Sequence, residues 1–330
     1  MDTELTILSW PNYINPLTLE QFEAEFGVRA RVEVVPSAVE LMARLREPGS
    51  PPDVLCPPDY AVRELNAENR LLPLDHNRLP NLQHLDPRFH LGRAHDPDCR
   101  VSVIKDWGTT GFLYRTDEVA GSPQSWADFW SLAEQYAGKV TVLDSPGEVI
   151  GAALKLRGRS YNATDEASLA QAQVDLLRLK PHLYAFETDY RPLLASGKTC
   201  LALGWSGDAA ALNAASVRVR YVVPTEGSQL WEDDWAIAAA ARHPAAAHAF
   251  LNFALRPAVA AQEARYTRYA TGNRAALALL DESLRADEAT YPPAAILRRL
   301  EAGLPLDPQG NRRREALWRE VRLGFADQLP

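Results

Sequence analysis

The sequence predicts an α/β protein with a mostly parallel, doubly wound sheet. Two observations carry that expectation. Strand-length apolar runs alternate with segments whose apolar residues recur at three- and four-residue steps, and capping residues stand where the two meet. A third observation gives the fold a functional direction: the residues after the expected strands are repeatedly an aromatic ring, a carboxylate or both. Open α/β sheets bind ligands beyond the carboxyl ends of their strands.

The first sixty residues set the pattern. Residues 5–9 read as a buried strand, and Trp10-Pro11-Asn12-Tyr13 as a turn carrying two large rings. Leu19, Phe22 and Phe26 share one helix face, and Gly27 is placed to cap it in the left-handed conformation. Residues 31–35 return as a strand. Ser37 to Glu40 has a capping-box pattern that opens a helix with Val39, Met42 and Leu45 inward, and Pro51-Pro52 stops it. Residues 53–56 form the next short strand, which completes a β-α-β-α-β run.

The middle repeats the theme. Ser125 to Asp128 caps a helix through Tyr136, residues 139–143 form a strand, and 147–156 a helix. A long helix over 165–179 precedes a strand over 199–204, a helix after Gly207 and a strand over 217–223. A strand over 235–239 and several helices complete the chain. Trp126 and Trp130, four apart on one helix face, are read as core.

Composition narrows the function. With 35 Lys plus Arg against 43 Asp plus Glu, the net charge is 35 − 43 = −8, which argues against nucleic acid as a partner. The length of 330 residues suggests about two domains. No apolar run reaches the roughly 18 residues that a membrane span needs. No signal-like segment stands at the start, so the chain is expected to be cytosolic or a mature form with an added Met. Three cysteines, Cys56, Cys99 and Cys200, have no metal spacing and allow at most one internal disulfide.

Catalytic signatures fail as well. There is no GxGxxG, Walker A, HExxH or GxSxG, and the seven histidines are scattered. The expectation is a binding protein rather than an enzyme, with no cofactor and no metal. The groups that remain at strand ends are Trp10 to Tyr13, Pro57-Pro58-Asp59-Tyr60, Asp144 to Glu148, and Trp205-Ser206-Gly207-Asp208, with Trp231-Glu232-Asp233-Asp234 expected as a loop before the strand at 235.

Such groups suit a small organic cation. An ammonium taken out of water must be paired, and one carboxylate at about 4 Å contributes on the order of 4 kcal/mol before desolvation. Each aromatic face adds about 0.5–2 kcal/mol, and each buried methylene about 0.8 kcal/mol. Structural roles compete for the same residues. Asp208 suits a helix N-terminal cap, Glu148 the start of its helix, and Asp233 plain loop charge.

At these residues the chain resembles the polyamine-binding proteins of bacterial ABC importers, the putrescine- and spermidine-binding members of the periplasmic solute-binding superfamily. The similarity runs over nearly the whole chain. It is carried by Leu8-Ser9-Trp10-Pro11-Asn12-Tyr13-Ile14, Trp107-Gly108-Thr109-Thr110-Gly111, Leu143-Asp144-Ser145-Pro146-Gly147-Glu148-Val149, Gly204-Trp205-Ser206-Gly207-Asp208 and Tyr291-Pro292-Pro293-Ala294. The resemblance implies a two-lobed periplasmic-binding-protein fold of type II, with ligand in the interlobe cleft and strand crossovers as the hinge. One lobe would be residues 1–109 with 232–276, the other 110–231 with 277–330.

It further implies that Glu148, Asp208 and Asp233 hold ammonium groups, while Trp10, Tyr13, Tyr60, Trp205, Trp231 and Tyr269 line the alkyl chain. Pro11, Pro58 and Ser145 depart from the family pattern, and Ser145 stands where spermidine-preferring relatives carry an acid. The implied protein is a monomer, periplasmic or lipid-anchored, that captures a linear di- or polyamine and delivers it to ABC permease subunits. Another small cation or an amino acid on the same fold remains open, as does a sensor or an enzyme. An amino acid would need a cationic partner, for which Arg191 and Arg274 are available.

Overall fold

The computed structural model of the chain describes residues 3–326 apart from 48, 50 and 305; the side chains of Thr3 and Val39 lie outside the described residues. The chain forms two compact units. The first holds Met1–Trp107 and Trp231–Ala286, the second Gly108–Leu230 and Asp287–Pro330. Leu277 to Ala286 thus belong to the first unit, beyond the expected boundary at 276. Arg265 of the helix Pro257–Thr267 lies 3.4 Å from Asp281 of this segment.

The strands are β1 (Thr3–Ser9), β2 (Val28–Val34), β3 (Val54–Leu55), β4 (Ser102–Arg115), β5 (Val140–Val142), β6 (Leu183–Phe186), β7 (Leu201–Trp205), β8 (Val219–Val222), β9 (Gln229–Ile237), β10 (Ala270–Thr271) and β11 (Glu301–Ala302). In the first unit β1 pairs in parallel with β2 and β3, and β9 runs antiparallel to β3, with Leu55 opposite Ala236. The connecting helices form as their caps predict. Asn15 caps Pro16–Phe26, Gly27 ends it at φ +64°, and Ser37 accepts the Glu40 N–H. Leu8, Leu41, Leu55, Val62 and Leu65 are fully buried in one apolar cluster, each contributing about 1.5–3 kcal/mol, and Trp10 packs against it.

In the second unit β5 pairs in parallel with β6 and β7, and β4 runs antiparallel to β7 and β8. The core is built on Phe112, Trp126, Phe129, Leu201 and Leu203, all at 0% exposure. Both expected core indoles find partners for their N–H. Trp126 donates to Gly227 O at 3.0 Å and Trp130 to Asp175 O at 3.1 Å. The three cysteines are buried and free.

The structure corrects two expectations. Residues 231–234 are not a loop: they lie inside β9. Their charge disguised them, because three adjacent acids read as solvent-facing, whereas Glu232 and Asp234 are buried and answered by Arg93 and His95. β4 was not foreseen either. Its buried run contains Lys105, Asp106, Thr109 and Thr110, and that polarity hides a strand in which Lys105 pairs with Asp106 while Thr109 and Thr110 bond to Tyr221 and Glu148.

Candidate functional site

Each unit gathers acids and rings where its strands end. In the first unit β1 ends at Ser9 and delivers Trp10; Asn12 turns the chain at φ +55° and Tyr13 follows. β3 ends near Pro58, which bridges to Asp233 of β9, and the Asp234 N–H bonds to Pro57 O at 2.9 Å. Alternation along β9 then separates three acids by face. Asp234 meets Arg93 at 2.7 Å and His95 at 2.8 Å, and Glu232 meets Arg93 at 3.3 Å. Asp233 instead accepts the Trp10 indole N–H at 3.1 Å.

That carboxyl is 9% exposed, and burial pushes its pKa up to about 7 against the pull of Trp10 and of nearby Lys105. Three rings continue from it. Tyr13 meets Tyr269 with centroids 5.9 Å apart, and Tyr269 meets Trp231 edge-on at 5.0 Å. The Tyr13 hydroxyl is close to the Asp233 carboxylate without a well-formed hydrogen bond, and the buried Trp231 Nε1 has no hydrogen-bond partner among the described residues. Lys105 Nζ lies 4.1 Å from the Tyr13 ring centroid, paired with Asp106 at 2.5 Å. Tyr60 is 41% exposed; its backbone N–H bonds at 2.6 Å to Asp59, which burial lifts to about 7.

In the second unit two parallel neighbours, β5 and β7, each run into a helix and place an acid at its third residue. Glu148 belongs to Pro146–Leu156 and Asp208 to Ser206–Ala214. Free backbone N–H groups and the helix dipole favour carboxylates there. Glu148 Oε1 accepts the Trp205 indole N–H at 2.5 Å and the Thr110 hydroxyl at 2.8 Å. Asp208 Oδ2 accepts the Tyr190 hydroxyl at 2.5 Å, and Arg191 Nη1 lies 3.7 Å from Oδ1. Burial raises both acids despite these partners.

Tyr190 also accepts the Trp205 backbone N–H at 2.9 Å. It fits because residue 204 is glycine: a Cβ there would stand 2.0 Å from the Tyr190 hydroxyl oxygen. Asp208 does not serve as the N-cap, a place held by Trp205 without a side-chain bond.

The structure therefore brings Trp10, Tyr13, Trp231, Asp233 and Tyr269 together in one unit and Glu148, Trp205 and Asp208 in the other. Sequence reasoning missed Lys105, Asp106, Thr110 and Tyr190 as neighbours of these groups. Thr110 lies within the Trp107 to Gly111 motif; Tyr190 follows β6, a short strand that the sequence pattern does not reveal. Among the described residues the nearest arrangement to a metal centre is His95, Glu232 and Asp234, with ligand atoms within 4.8 Å of one another. The Arg93 guanidinium already sits on both carboxylates, which makes the cluster an internal charge network.

Two units of parallel-strand α/β architecture, each with an acid held by an indole N–H at a strand end, define a two-lobe solute-binding protein. The chain belongs to the bacterial extracellular solute-binding proteins, whose family profile matches residues 18–292. It is 32% identical, over 97% of its length and 91% of the relative's, to the putrescine-binding periplasmic protein PotF of Escherichia coli K12. Against the spermidine/putrescine-binding periplasmic protein of the same organism it is 32% identical, over 89% of this chain and 84% of the other. The crystal structure of the spermidine/putrescine ABC transporter substrate-binding protein PotD of Streptococcus pneumoniae superposes with a TM-score of 0.88. It shares 29% identity, with 98% of this chain and 99% of that one covered. The expected class, a two-lobe α/β binding protein rather than an enzyme, holds. No helix among the described residues is long and apolar enough to cross a membrane.

Proposed function

We propose that the chain captures a linear di- or polyamine outside the cytoplasm and presents it to an ABC permease. Asp233 in the first unit and Glu148 in the second are the carboxylates for ammonium groups, and Trp10, Tyr13, Trp231 and Tyr269 in the first and Trp205 in the second are the rings for alkyl carbon. The observation that carries this reading is the repeated pairing of a recessed carboxylate with an indole N–H, Trp10 on Asp233 at 3.1 Å and Trp205 on Glu148 at 2.5 Å. The indole fixes the acid, and its ring offers an apolar face beside the charge.

The names of the relatives, which include putrescine and spermidine, support the ligand class, and the family description supports an extracytoplasmic place. A monomer that is periplasmic or lipid-anchored completes the proposal. Calorimetry with putrescine, cadaverine, agmatine and spermidine tests it, with γ-aminobutyrate alongside. Binding of at least one amine is expected, and silence from all four overturns the reading. Preference for γ-aminobutyrate over every diamine would assign an amino-acid ligand instead.

A further inference from the structure

The two acids of the second unit are alike in position and unlike in charge balance. The groups that bear on Glu148 are neutral: the Trp205 indole, the Thr110 hydroxyl and the Ser145 hydroxyl. Asp208 has a resident cation. Arg191 opens the short helix Arg191–Ser196, directly after Tyr190. Its Nη1 lies 3.7 Å from Asp208 Oδ1 and its Nε 3.8 Å from Asp189 Oδ1, while Tyr190 donates to Asp208 Oδ2 at 2.5 Å. Both Asp208 oxygens therefore face a donor or cation supplied by the chain itself.

We propose that Arg191 is a specificity-determining residue. Its guanidinium takes the place a further ligand cation would hold at Asp208. Glu148 is left as the open anionic position of the second unit, and the chain selects diamines over triamines. The inference rests on the amine-binding reading above. Its physical basis is like-charge exclusion. A third ammonium near Asp208 would have to share one carboxylate with a guanidinium that stays protonated at every accessible pH. The Arg191 side chain is 46% exposed, so a triamine can displace it toward water, which limits the discrimination to a modest factor.

The test is the ratio of spermidine to putrescine dissociation constants in the wild-type chain, Arg191→Met and Arg191→Lys, measured by calorimetry at fixed salt. Arg191→Met is expected to shift the ratio toward spermidine by about three- to tenfold, and Arg191→Lys to keep it near wild type. Adding Asp208→Asn to Arg191→Met is expected to abolish the shift, since the vacated acid is then gone. A general loosening of the fold would weaken both amines together and leave the ratio unmoved. An unchanged ratio in Arg191→Met, with putrescine still bound, overturns this inference alone. A wild-type chain that binds no amine overturns the amine-binding reading along with it.

Discussion

The two units hold their acids by different means. Asp233 sits within β9, flanked by Glu232 and Asp234, and the alternation of the strand turns those neighbours toward Arg93 and His95. Glu148 and Asp208 stand instead at the third residue of helices that follow parallel strands. A helix start brings its own backbone donors and dipole to an acid. A strand brings neither, so a buried acid on a strand depends on partners from far along the chain. Trp10, the partner of Asp233, is 223 positions away, and burial lifts this acid to about 7.

The largest expected effect follows from that isolation. Asp233→Ala leaves an ammonium without its anion in a buried place and is expected to weaken putrescine binding by about 2–5 kcal/mol. Glu148 is less buried than Asp233, and Glu148→Ala is expected to cost less, about 1–2 kcal/mol. Titration calorimetry on the two variants checks the order, and equal losses would break the contrast between the units.

Next comes pH. With Asp233 near 7, the ligand-free protein holds a proton there around neutrality, and an ammonium must displace it. Affinity is therefore expected to rise with pH by up to about tenfold per unit below 7 and to level off above it, with net proton release on binding near neutrality. The stability of the ligand-free protein runs the other way. A carboxyl whose folded pKa exceeds its unfolded value of 3.8 binds protons more tightly when folded. Its contribution is then present below about 4 and is lost as pH rises to about 7. Melting of the chain between these limits, with and without putrescine, should show the ligand-induced shift growing with pH.

The indoles give a finer contrast. Trp10→Phe and Trp205→Phe each keep a ring and remove the N–H that holds the acid. Losing one hydrogen bond to a carboxylate costs about 1.5–3 kcal/mol where nothing replaces it. Trp10→Phe is expected near that range. Trp205→Phe is expected to cost less, because Thr110 still donates to Glu148 at 2.8 Å. Affinities of the two variants for one diamine decide it.

What was legible in the sequence divides along the same line. The strand-helix alternation, the Gly27 cap, the core role of Trp126 and Trp130, and the places of Glu148 and Asp208 at helix starts were all written in residues a few positions apart. Asp233 was placed by resemblance, since its own surroundings suggested loop charge. Arg93 lies 139 and 141 positions from Glu232 and Asp234, and no local period shows such a pairing. Lys105 and Asp106 stayed hidden for the same reason, because a charged pair inside a buried strand becomes intelligible only when its partners fold onto it. Glu263 approaches Lys105 to 3.7 Å from 158 residues downstream, 263 − 105.

The smallest expected effect tests how far a prepared acid depends on one donor. Tyr190→Phe removes the hydroxyl that binds Asp208 Oδ2 at 2.5 Å and receives the Trp205 N–H at 2.9 Å, while keeping the ring that fills the space over Gly204. Arg191 and the helix start still bear on Asp208, so the carboxyl keeps two of its three supports and loses only part of its fixed geometry. The Trp205 backbone is loosened at the same time, and with it the indole on Glu148. A two- to fivefold loss of putrescine affinity is expected, about 0.4–1 kcal/mol. A loss as large as that of Asp233→Ala would show instead that Asp208 carries an ammonium directly, and that the second unit is no better buffered against losing a partner than the first.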